Sequence, residues 1–127
     1  MKKLLALLFI LAGLTMNAQQ NKGVWDNWQK TSCYSKISFR LKYEGKNGEQ
    51  YKWKVQFRND FPELISFNYH ITDKLGEYNL TTHRKALEAG RTSPEIELFT
   101  QEEDIYLLVD KVSLSPYPQD FIDCDHK

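Results

Sequence analysis

The chain has 127 residues, with 17 Lys and Arg against 17 Asp and Glu and a formal net charge of zero. That balance removes any global electrostatic pull toward nucleic acid or an anionic membrane. A hydrophobic content of 41% with 13% aromatics suits one globular domain with a real core.

Met1-Lys2-Lys3, the apolar run Leu4 to Leu14 and then Thr15-Met16-Asn17-Ala18 read as a secretory signal peptide over residues 1–18. The run is shorter than the roughly 20 apolar residues that span a bilayer. The mature chain is therefore expected to be secreted or periplasmic, with no transmembrane segment and a single domain over residues 19–127. Removing Lys2 and Lys3 leaves 15 basic against 17 acidic residues.

Gln19 to Ser32 carries Trp25 and Trp28 in a polar setting, as a lead-in to the fold or a short helix. Lys36 to Tyr43 then alternates strictly, with Ile37, Phe39, Leu41 and Tyr43 on one face and Lys36, Ser38, Arg40 and Lys42 on the other. Gln50 to Arg58 alternates again, with Tyr51, Trp53, Val55 and Phe57 against Lys52, Lys54, Gln56 and Arg58. This period of two, rich in aromatic and β-branched residues, predicts two half-buried strands. The apolar faces must coincide, so odd positions oppose odd positions. Pairing Tyr43 with Tyr51 and Leu41 with Trp53 leaves a three-residue loop, Lys46-Asn47-Gly48, with glycine at the left-handed position.

Pro62 breaks the pattern. A third strand is expected over Leu64 to Thr72, with Ile65, Phe67, Tyr69 and Ile71 inward. Asp73 to Pro94 is less regular: a short strand over Tyr78 to Thr82 and a helical turn over Arg84 to Ala89, stopped by Gly90. Glu95 to Phe99 and Ile105 to Leu114 read as strands. A parity change puts a bulge near Asp110-Lys111 in the latter. Short strands with little helix predict an all-β fold, an antiparallel β-sandwich of immunoglobulin-like or fibronectin III-like type with about seven strands.

Cys33 and Cys124, an even count in an exported chain, are expected to form a disulfide. The reactive-thiol alternative lacks a Cys-x-x-Cys pair or an activating base.

The predicted outer face of the first hairpin is basic. Arg40 faces Lys54, Lys42 faces Lys52, and Lys36 and Arg58 meet at the far end. Like charges directly opposed cost from a few tenths to about 1 kcal/mol each. One reading is a binding face of Arg40, Lys42, Lys52, Lys54 and Arg58 for an anionic glycan, a lipid headgroup or an acidic protein. Arg84 joins this set from a basic tip made with His83, Lys85 and Arg91 in the Asp73–Pro94 segment, where specificity is expected. The plainer reading is that the lysines guard exposed strands, or that Glu95 and Glu97 come alongside. Trp25, Trp28 and Trp53, with Tyr34 and Tyr51, could stack on sugars, although Trp53 fits the core pattern.

Asp123, Cys124, Asp125 and His126 cluster in the tail, far in sequence from His70 and His83, and read as a solvated tail with no metal. Glu102-Glu103-Asp104 lacks the alternating ligands of a calcium loop and reads as a charged turn. No Gly-x-Ser-x-Gly, His-Glu-x-x-His or phosphate-cradling glycine loop is present, and no cofactor is implied. The expected function is an exported, non-enzymatic binding or interaction module, with no nucleic-acid partner. The alternatives are a structural or accessory domain without a ligand and a small hydrolase or lyase.

Overall fold

The computed structural model describes residues 22–72 and 82–125. The signal peptide lies outside these residues, as does all but Thr82 of the strand expected over Tyr78 to Thr82. The described residues form seven strands: β1 (Gln29–Lys30), β2 (Ile37–Asn47), β3 (Gln50–Asn59), β4 (Ile65–Thr72), β5 (Thr82–Leu87), β6 (Ile96–Thr100) and β7 (Tyr106–Ser113). One antiparallel sheet has the order β1-β2-β3-β6 and the other the order β5-β4-β7. Among the described residues there is no helix long and apolar enough to cross a membrane.

The alternating residues act as their pattern requires. Ile37, Leu41, Trp53, Val55 and Phe57 from the first sheet and Ile65, Phe67, Tyr69 and Val109 from the second are buried in a single core. Phe57 joins the sheets directly, its ring 5.2 Å from Phe67 and 5.0 Å from Tyr69.

The β2–β3 hairpin has the expected parity but a different register. Leu41 opposes Val55 and Tyr43 opposes Trp53, two residues away from the expected pairing. The ladder shifts between Tyr43 and Gly45, leaving Glu44 as an extra residue, and then closes at Asn47 opposite Gln50. The turn is thus the two-residue Gly48-Glu49, with Gly48 at φ 69° as such a turn demands of its first position. A glycine on each side of Lys46-Asn47 makes both solutions sterically open, and the bulge selects this one.

The bulge expected near Asp110-Lys111 is present. Ser66 pairs with Ser113 but Asn68 with Asp110, and Lys111 takes a φ of 49°. The helical turn expected over Arg84 to Ala89 is not formed; these residues begin in β5, which among the described strands pairs with β4 alone. At that rim His83 and Lys85 occupy positions that a central strand would fill with apolar side chains, so the period of two is hidden.

The segment before β2 folds back along its free edge. Backbone bonds run from Gly23 N–H to the Tyr43 carbonyl (2.6 Å), from Asp26 N–H to Leu41 (2.8 Å) and from Thr31 N–H to Ile37 (3.0 Å). Cys33 and Cys124 form the expected disulfide, fastening the turn before β2 to the C-terminal tail.

Candidate functional site

Among the described residues, polar and aromatic side chains come together on several surfaces. The first is the outer face of the β2–β3 hairpin, where the sequence placed a basic patch. Arg40 opposes Gln56 rather than Lys54, and its Nε and Nη2 donate to Gln56 Oε1 at 3.0 and 2.7 Å. Lys52 opposes Gly45 rather than Lys42. Lys42 and Lys54 do oppose each other, and Glu44 stands between them at 3.9 and 4.0 Å.

β6 runs beside β3 and places Glu97 at 3.5 Å from Lys52, while Glu95, just before β6, lies 3.1 Å from Lys54. The remaining cations are covered by the segment on the β2 edge. The Arg40 guanidinium lies 4.5 Å from the Trp25 ring and 4.7 Å from the Trp28 ring. Lys42 sits 4.8 Å from Trp25, and Arg58 sits 4.6 Å from Trp28. Both indoles interleave with the cations, at about 0.5–1 kcal/mol per exposed contact. The lysines and arginines of this face are therefore matched within the fold.

The Lys54–Glu95 pair carries a pH signature. Its hydrogen bond, reinforced by nearby cations, holds the Glu95 carboxyl below its ordinary value and Lys54 above its own. A depressed carboxylate contributes stability that is full above its unfolded pKa and lost as pH falls through the folded value. A raised lysine contributes fully below its unfolded pKa and loses this as pH rises through the folded value. The stability difference between wild type and Glu95→Gln is therefore expected to be small and level around neutral pH. It should fade in acid below the ordinary carboxylate range, as read from denaturation curves of both proteins. A difference that grows in acid would contradict the pairing.

The second surface is the outer face of the other sheet. Arg84 was expected at the basic tip of the Asp73–Pro94 segment; it stands instead on β5, reaching across β4. Its Nη1 donates to Asn68 Oδ1 (2.9 Å) and the Lys111 carbonyl (2.7 Å), and its Nη2 to Ser66 Oγ (2.6 Å) and Ser113 Oγ (3.3 Å). Phe121 of the tail lies 5.9 Å above the guanidinium. Burial lowers the Arg84 pKa from its ordinary value. Four of its N–H groups are satisfied by neutral acceptors, so Arg84 anchors this face and the tail. It is not brought together with Arg40, Lys42, Lys52, Lys54 and Arg58.

The third surface was not foreseen. A cleft of about 650 Å³ opens between the segment before β1, the middle of β2 and β3, and the turn from β6 into β7. Its carboxylates are Asp26, Glu103 and Asp104, its amides Asn27 and Gln29, and its rings Trp53 and Tyr106, with Leu41 and Ile105 adding apolar surface. Partial burial raises the Asp26 pKa above its ordinary value. Trp53 is only 7% exposed, and its buried Nε1 has no hydrogen-bond partner. The charged turn Glu102-Glu103-Asp104 was visible in the sequence, but residues some 50 and 75 positions earlier complete the cleft. Among the described residues no group of three or more His, Cys, Asp or Glu side chains is placed to hold a metal ion.

No family model, curated protein or solved structure matches the chain.

Proposed function

We propose that this protein is an exported, non-enzymatic binding module whose ligand enters the cleft beneath Asp26, Glu103 and Asp104. The observation that carries this reading is the cleft itself. A concave site of this size, with aromatic walls and a few convergent polar groups, is the usual form of a ligand site. The hairpin face is a weaker candidate, because an anionic partner there would have to displace Glu44, Glu95 and Glu97 or unseat both indoles.

Two further points support the reading. A disulfide suits a secreted or periplasmic setting. The connectivity also suits an immunoglobulin-like or fibronectin III-like sandwich. With β2 taken as strand A, strands A, B and E share one sheet, while C and F share the other beside an additional edge strand. Such folds carry many binding functions, so function is argued from the cleft rather than from the architecture.

In a ligand-observed binding screen, compounds found with the wild type are expected to lose binding in Glu103→Ala/Asp104→Ala. They should keep it in Lys52→Gln/Lys54→Gln. The opposite pattern would return the site to the hairpin face, and chemical conversion of a bound compound would overturn the non-enzymatic reading.

A further inference from the structure

We infer that Asn47 is a site of spontaneous covalent modification, in which its side-chain amide is lost and an aspartate or isoaspartate takes its place. The sequence supplies the first observation. Of the seven asparagines in the chain, Asn47 is the one followed by glycine. The reaction joins the backbone nitrogen of the next residue to the side-chain Cγ of the asparagine. A side chain on that next residue crowds the approach, and Gly48 has none.

The structure supplies the second. Asn47 is the last residue of β2, and Gly48 opens the two-residue turn into β3. Both are exposed, as are Lys46 and Glu49 on either side. A Cβ placed on Gly48 would meet nothing within 4 Å beyond its chain neighbours, so the space around the reacting nitrogen is open. The Asn47–Gln50 rung is also the outermost of the hairpin. Among the described residues, the pairing of β3 with β6 ends at Tyr51, and the segment before β1 bonds to β2 no nearer the tip than Tyr43. A two-stranded ribbon has little stability of its own, and its last rung opens without unfolding the core. Opening lets Asn47 turn its Cγ onto the Gly48 nitrogen.

The atoms balance with water alone. Base draws the proton from the Gly48 nitrogen, which bonds to Asn47 Cγ. The Cγ–Nδ2 bond breaks and ammonia leaves, closing a succinimide ring. Water then opens that ring at either carbonyl. One opening leaves an ordinary aspartate; the other leaves isoaspartate, whose main chain runs through the side-chain carbon and is one methylene longer. Either product sets a carboxylate near Glu49, and isoaspartate also displaces the rung with Gln50.

The test is incubation of the disulfide-bonded mature protein at neutral and at mildly alkaline pH, beside a synthetic peptide of residues 46–52. Trypsin digestion and mass spectrometry follow, with unincubated protein as the reference. Trypsin cuts after Lys46 and Lys52, releasing residues 47–52. That peptide is expected to gain the mass difference between water and ammonia, faster at the higher pH, and to become a substrate for protein isoaspartate methyltransferase. Asn47→Gln keeps an exposed amide but needs a larger ring, and should abolish the gain. A changed synthetic peptide with residues 47–52 of the protein unchanged would overturn the inference, because the fold would then protect Asn47. Failure of both, or faster change at another asparagine of the folded protein, would overturn it as well.

Discussion

Replacing Cys33 and Cys124 by serine is expected to lower the unfolding free energy by about 2–5 kcal/mol, a large share of the roughly 5–15 kcal/mol of a typical domain. The bridge joins residues 91 positions apart, so it closes nearly the whole domain into one loop. Chain entropy alone then gives about 4–5 kcal/mol in the ideal case. The bridge also holds a set of weaker contacts in place. Asp125 N–H donates to the Cys33 carbonyl at 3.0 Å, Asp125 Oδ1 accepts from Ser35 N–H at 2.9 Å, and Tyr34 Oη donates to the Ile122 carbonyl at 3.1 Å. Through these the tail is fixed over the second sheet, where Phe121 covers Arg84 and Lys111. Urea denaturation of the serine variant checks the loss. A change below about 1 kcal/mol would mean that the tail is held by its contacts rather than by the bridge.

Phe57→Ala is expected to cost about 3–5 kcal/mol, the range for removing a fully buried aromatic ring. Phe57 has no exposed surface and contacts Phe67 and Tyr69 across the gap between the sheets. Its backbone bonds survive the change: Ser93 Oγ accepts from its N–H at 2.9 Å, and its carbonyl accepts from Ser93 N–H at 2.8 Å. The loss is therefore one of packing, and denaturant unfolding of the variant measures it. A cost near that of an exposed substitution, within about 0.5 kcal/mol, would mean that the sheets do not meet at this ring.

Phe57 also marks what could be read from the chain and what could not. Phe57 belongs to a strict period of two, and such a pattern announces both the strand and the buried face. Parity survived in β2 and β3 because a slip by one residue would expose every aromatic ring. The exact register did not, because Gly45 and Gly48 allowed two turn geometries and only the bulge at Glu44 separates them. β5 was hidden because an edge strand can place His83 and Lys85 where apolar residues would otherwise be required. The short β1 has too little pattern of its own; its place is set by β2, whose edge it covers.

The site was harder to read for a different reason. Charge along the chain is visible, but charge compensation is a property of neighbours in space. The lysines of the hairpin stood out because their partners, Glu95 and Glu97, lie some 40 residues later. The cleft did not stand out because its parts are spread over Asp26 to Gln29, Trp53 and Glu103 to Tyr106. None of those segments carries a motif alone.

The central claim is that ligand is held at the cleft and not on the hairpin face, and the three tryptophans divide these surfaces cleanly. Trp25 and Trp28 lie on the hairpin cations, and Trp53 lines the cleft. Their three indole N–H resonances in a proton–nitrogen correlation spectrum, followed while a compound found in the binding screen is added, give the most direct measurement. Movement of the Trp53 resonance, with those of Trp25 and Trp28 still, is the predicted result. Movement of Trp25 and Trp28 with Trp53 unchanged would contradict it.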